Sequence, residues 1–229
     1  NPSIIFPDAD VDALIGSLMF KRFSFCGQTC DALKRLIVHE SIYDEVVKKL
    51  SQKIAELAVG DPADKGTQMG PLVSEKQRIV LAEQVEGALK SGAIILAQGN
   101  INTSLSGSFY KPTLLGSVDP TMRIWNEEVF GPVLPVVSFS DDDEAVRLAN
   151  DTLYGLGSQI FTKDLKKAER IANQIHAGNV DVNGVGHFKP SSPFGGYKRS
   201  GLGREHGRHG FQELTQVKLV SKPKESEKM

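Results

Sequence analysis

Val133-Leu134-Pro135-Val136-Val137-Ser138-Phe139 runs straight into Ser140-Asp141-Asp142-Asp143, and that junction decides the fold. A strongly apolar run of seven residues reads as a strand of a well-covered sheet, the kind found in parallel arrangements. Ser140 and the aspartates read as the opening of a helix through Leu148 and Ala149. Short polar side chains accept from the first backbone N–H groups of a helix, and negative charge suits its positive end. The alternation continues with a strand from Ser158 to Phe161, a helix from Asp164 to Ala177 stopped by Gly178, and a strand from Asn179 to Val182. Strands alternating with helices of this length predict βαβ units, hence an α/β fold with a mostly parallel sheet and helices on both faces.

The same rhythm holds toward the N-terminus. Ser3-Ile4-Ile5-Phe6 reads as a buried strand closed by Pro7, after which Asp8 or Asp10 caps a helix carrying Val11, Leu14, Ile15, Leu18 and Met19. Arg35 to Val38 is the next strand, and Ser41 starts a long amphipathic helix that Gly60-Asp61-Pro62 ends. Ser74 caps a helix to about Lys90, which Ser91-Gly92 stops. Ala93 to Ala97 is apolar enough for a strand, Gln98 to Ser108 reads as a surface turn, and Tyr110 to Val118 as a strand weakened by Pro112. From Gly184 to Gly210 glycines and basic residues suggest an irregular crossing. Leu214 to Val220 alternates as a final strand, and Lys222 to Met229 is a charged tail expected to be disordered. No internal repeat is visible.

With 229 residues, 40% of them hydrophobic and 24% charged, the chain has the composition of a soluble globular protein with one substantial core. A formal net charge of −1 gives no global attraction to nucleic acid or an anionic membrane. No apolar run approaches the roughly 18 residues needed to span a bilayer, and the opening residues carry no signal-peptide pattern. Cys26 and Cys30, four apart, fit reduced thiols in a cytoplasmic protein better than a disulfide framework or a zinc site.

Cys30 is the candidate nucleophile. Gly27-Gln28-Thr29 reads as a small polar turn that delivers Cys30 to the first turn of a short helix, where unpaired N–H groups and the helix dipole favour thiolate; Lys34 and Arg35 add positive field. On this argument alone a packed thiol remains the commoner outcome. Three blocks shift the balance. Phe23-x-x-x-Gly27-Gln28-x-Cys30 resembles the active-site signature of the NAD(P)-dependent aldehyde dehydrogenases. Asn126-Glu127-Glu128-Val129-Phe130-Gly131-Pro132 is similar to that family's Glu-Glu-x-Phe-Gly-Pro motif. Pro193-Phe194-Gly195-Gly196-Tyr197-Lys198-Arg199-Ser200-Gly201 resembles its Pro-Phe-Gly-Gly-x-Lys-x-Ser-Gly.

The resemblance implies a Rossmann-like catalytic domain over 1–195, then a glycine-rich crossing, oligomerisation strand and tail over 196–229. It implies Cys30 as the nucleophile that forms a thiohemiacetal and then a thioester, with hydride passing to NAD or NADP. It implies Glu128 on the nicotinamide-ribose hydroxyls and Phe130 bounding the nicotinamide. Partners would be a small aldehyde and either a second copy, through Leu214 to Val220, or a complementing N-terminal half. Asp31-Ala32-x-Lys34 is similar to the non-phosphorylating glyceraldehyde-3-phosphate dehydrogenase branch, which suggests a phosphorylated three-carbon aldehyde.

The resemblance covers only the C-terminal half of the family's usual sequence. The Glu-Leu-Gly-Gly block with its general-base glutamate, the dinucleotide-binding half and the oxyanion-hole asparagine side chain lie outside these residues. Impaired turnover by the chain alone is therefore expected. A rival reading is a non-catalytic oligomerisation or regulatory piece with a vestigial cysteine. Another is a thiol hydrolase pairing Cys30 with His187, His206 or His209, although their glycine-rich setting suits an exposed loop. Lys189 or His187 could meet an anionic substrate but more often such residues are solvated. Gly201-x-Gly203 follows no strand of a βαβ unit and fails as a dinucleotide fingerprint.

Overall fold

The computed structural model describes residues 1–102, 106–186 and 189–222. His187 and the charged tail from residue 223 onward lie outside the described residues. The elements, in order, are β1 (Pro2–Ile5), α1 (Val11–Phe23), β2 (Arg35–His39), α2 (Glu40–Ala55), α3 (Glu75–Lys90), β3 (Ile94–Gln98), β4 (Thr113–Gly116), α4 (Arg123–Asn126), β5 (Val133–Phe139), α5 (Asp142–Asn150), β6 (Tyr154–Gly155), β7 (Gly157–Phe161), α6 (Leu165–Ala172), β8 (Asn179–Val182), β9 (Tyr197–Lys198) and α7 (Gly207–Glu213).

Seven strands form one sheet in the order β3-β4-β5-β2-β1-β7-β8. Every pairing in it is parallel except β3 with β4. All four residues of β1 and the first four of β2 are buried. Successive strand residues face opposite sides, so burial at consecutive positions means that both faces of the sheet centre are covered. α2 packs on β2, β4 and β5, α5 on β1 and β2, and α6 on β7. The α/β expectation holds.

The helix starts follow the polar side chains that announce them. Asp10, Ser74, Asp141 and Asp164 are N-caps, each accepting from a backbone N–H two or three residues on. Asp8, the alternative cap, instead accepts from the Thr162 hydroxyl and the Lys163 and Asp164 N–H groups, which ties β1 to the end of β7.

Several boundaries differ from the sequence expectation. α2 starts at Glu40, capped by the His39 ring rather than Ser41, and ends at Ala55, short of Gly60. α6 ends at Ala172 instead of Ala177 because Asn150 draws the chain away: its Oδ1 accepts from His176 N and its Nδ2 donates to Gln174 O. The strand expected over 110–118 is confined to Thr113–Gly116, between Pro112, which has no N–H to give, and Ser117 at φ 52.

The glycine-rich crossing is more ordered than expected. β9 pairs antiparallel with β6, and α7 follows. A Cβ on Gly178 would sit on the Gly195 carbonyl oxygen, and one on Gly195 on the Gly203 oxygen. The glycines are there because backbones meet backbones. Gly178→Ala should therefore lower stability by about 2 kcal/mol, the usual cost of overpacking; a urea midpoint equal to wild type would contradict this close approach.

Leu214 to Val220 forms no strand within the one chain; the expected strand is one that pairs with a second copy. A strand exists only against a neighbour, and this segment is exposed, with Leu214 87%, Val217 102% and Leu219 88% accessible.

Candidate active site

α1 ends at Phe23 and the chain reverses within four residues. Phe25, Cys26 and Gly27 are all left-handed, at φ 50, 58 and 70. That conformation costs a non-glycine residue about 1–2 kcal/mol. Gly27 is required: a Cβ there would lie 2.5 Å from Gly131 O and 2.8 Å from Arg22 Nη2. Arg22, fully buried, holds the reversal by donating to Leu33 O at 2.6 Å and Val129 O at 3.0 Å.

Cys30 follows in an open turn, closed by Ala32 N donating to Thr29 O at 3.2 Å, and is exposed. No helix begins there, which corrects the expected dipole contribution. Leu33 N is taken by Lys21 O, and Lys34 N and Arg35 N by Asn1 O, so the chain enters β2 before a helical turn can close. Asn1 Nδ2 donates to Cys30 O at 2.6 Å and to Ala32 O at 3.0 Å, pinning the turn from its far side. Cys26 packs in the core, and burial pushes its thiol up to about 12. The two thiols are thus separated chemically: one is accessible, the other inert.

Cys30 and Glu128 line one cavity of about 240 Å³, with Lys34, Arg35, Trp125, Tyr154 and Arg199 on its walls. The adjacent glutamates there have different partners. Glu127 accepts from Arg123 at 2.8 and 3.1 Å and from Gln84 at 3.0 Å. Glu128 keeps a 43% exposed side chain, its Oε1 3.6 Å from Lys34 Nζ. Phe130, expected to bound the nicotinamide, lines a separate groove of about 490 Å³ with Phe25, Cys26, Gln28, Met69 and Val73. It connects to the first cavity through Lys34, whose ammonium lies 4.7 Å from its ring centroid.

Lys34, noted in the sequence for its charge and for the Asp31-Ala32-x-Lys34 resemblance, is the hub. It donates to Gly27 O, Thr29 O and Val129 O at 3.3, 3.3 and 3.2 Å. Burial pushes its pKa down to about 7, opposed by the negative charges of Glu128 and Cys30. Arg22, Trp125 and Tyr154 carried no sequence signal at all. His206 and His209 do not join: among the described residues lining the Cys30 cavity none is histidine, and His206 lies at the start of α7, 6.5 Å ring to ring from Phe194. Lys189 is exposed and lies off the cavity.

An exposed thiol, a partly free carboxylate and a buried ammonium on one wall are the elements of covalent chemistry beside a polar ligand. Residues 1–220 match the model of the aldehyde dehydrogenase family. The chain belongs to that family. Over 220 residues it is 43% identical to succinate-semialdehyde dehydrogenase (NADP+) 1 of Mycobacterium tuberculosis, covering 96% of this chain and 48% of that protein. It is 40% identical over 222 residues to the chloroplastic betaine aldehyde dehydrogenase of Beta vulgaris, covering 96% and 44% respectively. The solved structure of betaine aldehyde dehydrogenase from Staphylococcus aureus in complex with NAD+ matches with a TM-score of 0.88 and 38% identity, over 93% of this chain and 43% of that one. The chain thus spans about half the length of the curated relatives it matches.

Proposed function

We propose that this chain carries the catalytic cysteine of an NAD(P)-dependent aldehyde dehydrogenase, with Cys30 as nucleophile. The observation that carries the reading is the placement of an accessible Cys30 in one cavity with the Glu128 carboxylate and the Lys34 ammonium. The Cys30 sulfur donates its electron pair to the aldehyde carbon, and the carbonyl electrons move to oxygen as a thiohemiacetal forms. Loss of hydride from that carbon, as the oxygen re-forms its carbonyl, leaves a thioester on Cys30. Water then attacks the thioester, the C–S bond breaks, and the acid and free thiol are released.

Glu128 fits the cofactor's ribose. Its carboxylate is partly exposed and its neighbouring cation stands off at 3.6 Å, so lone pairs are available to a diol. A cavity of about 240 Å³ is below the ~300–1,000 Å³ that encloses a whole ligand of moderate size, and suits one end of a dinucleotide. When bound, NAD(P) supplies the acceptor for the hydride. Phe130 would bound the nicotinamide from the groove beyond Lys34.

Within the cavity the carboxylates among the described residues are Glu127, held by Arg123 and Gln84, and Glu128, facing Lys34. Neither is disposed as a free general base, so thioester hydrolysis by this chain alone is expected to be slow. Arg199, exposed on the cavity wall, favours an aldehyde bearing a carboxylate or phosphate. That class includes succinate semialdehyde and glyceraldehyde 3-phosphate; the Asp31 that suggested the latter pairs with Lys21 at 3.0 Å. A nucleophilic thiol belongs in a reducing compartment, which supports the cytoplasm. The exposed apolar alternation of 214–220 supports pairing with a second copy.

The test is NAD(P)H formation by the purified protein with succinate semialdehyde, glyceraldehyde 3-phosphate and betaine aldehyde. Formation with at least one aldehyde, or a stoichiometric acyl adduct on Cys30 without turnover, is expected. Neither product with any aldehyde would favour the non-catalytic reading.

A further inference from the structure

We propose that Lys34 is the positioning residue of the Cys30 thiol: its buried ammonium ties the turn that carries Cys30 to the loop that carries Glu128 and presents positive charge to the thiolate. The inference rests on Cys30 being the reacting group of the proposed function.

Three carbonyl oxygens converge on Lys34 Nζ, those of Gly27, Thr29 and Val129. Gly27 and Thr29 frame the approach to Cys30, and Val129 adjoins Glu128. An ammonium has three N–H donors, matching the three acceptors; a neutral amine would leave one unmet. The side chain is 8% exposed, so this tie works in an environment where charge is weakly screened. It also anchors the chain just after three left-handed residues, which need outside contacts to persist.

The groups facing Lys34 are few. Arg22 from α1 is the cationic neighbour, Glu128 is the anion, and Cys30 is the thiol that shares its cavity. Arg22 acts on Lys34 in the same direction as burial, while Glu128 and Cys30 act against it. Lys34 and Arg22 together outweigh the single carboxylate, and a thiolate at Cys30 supplies the missing negative charge.

The test is alkylation of Cys30 by iodoacetamide, followed by peptide mass across the neutral pH range, in the purified full chain. Lys34→Met and Lys34→Gln should slow alkylation at neutral pH about tenfold and displace the pH profile upward by about one unit, while the limiting rate at high pH stays within about twofold of wild type. A lysine that only fills space would leave the profile where it was. Glu128→Gln, at a side chain exposed enough to spare the fold, removes the anion that helps hold Lys34 protonated and should displace the profile in the same direction as the Lys34 variants, by less. Wild-type profiles in folded Lys34 variants would overturn the proposal; if those variants do not fold, an unmoved profile in Glu128→Gln overturns it. The functional reading fails separately, if Cys30→Ala still oxidises aldehyde.

Discussion

Cys30→Ala should abolish aldehyde-dependent NAD(P)H formation, by at least about 10³-fold, because on the proposed mechanism it removes the atom to which the aldehyde carbon bonds. No other group in the cavity can take over. Cys26 is four residues away in sequence but lies in the core, within the left-handed reversal, with its thiol pushed up to about 12 by burial. Cys30→Ser should be nearly as inactive, since a serine hydroxyl needs a general base and no histidine lines the cavity among the described residues. The fold should not notice either change. Cys30 is exposed in a turn held by main-chain and Asn1 contacts, so the unfolding midpoint should stay within about 0.5 kcal/mol of wild type. Activity lost with stability kept is the signature expected in a side-by-side assay and urea titration.

Arg35→Met should cost about 3–5 kcal/mol, the range seen when a buried charge and its acceptors are separated. Arg35 opens β2, near the middle of the sheet, and is 3% exposed. Its guanidinium donates to Leu148 O and Ala149 O at 2.8 Å and to Asp151 O at 3.0 Å. These are carbonyls at the C-terminal end of α5, which a helix cannot satisfy by itself and where a cation is favoured by the dipole. The guanidinium carbon also lies 4.7 Å from the Trp125 ring centroid, and Trp125 Nε1 donates to Asp151 at 2.8 Å. Burial pushes Arg35 down to about 10, which leaves it charged at neutral pH. Methionine keeps much of the volume but none of the donors, and each carbonyl left unmet in the interior costs about 1–3 kcal/mol. Against a native stability of about 5–15 kcal/mol, this is a large fraction. A loss below about 1 kcal/mol would mean that water entering through the adjoining cavity replaces the guanidinium.

The features legible in the sequence were those set by local chemistry. Asp10, Ser74, Asp141 and Asp164 announce helices because a side chain near the backbone caps wherever the rest of the chain goes. The apolar run of β5 could only be an interior strand. The Cys30 turn was misread for a physical reason: Phe25 and Cys26 are left-handed, a conformation those residue types rarely announce. What holds them there is remote, in Arg22 reaching Val129 across 107 positions and Lys34 reaching the same carbonyl across 95. No window of sequence contains both ends of such a contact. The alternation of Leu214 to Val220 was read correctly as a pattern, but a pattern becomes a strand only beside a partner. Cys30 and Glu128 were found from motif blocks, and the fold brings them together; the same blocks did not reveal that Lys34 joins them or that Phe130 faces another groove.

The most direct measurement is the mass of the Cys30 peptide after the protein is mixed with aldehyde and NAD(P) and quenched in acid. The account predicts an acyl group on Cys30 with Cys26 unmodified, absent without cofactor and absent from Cys30→Ala. NAD(P)H formed while Cys30 stays free, or undiminished in Cys30→Ala, would contradict it.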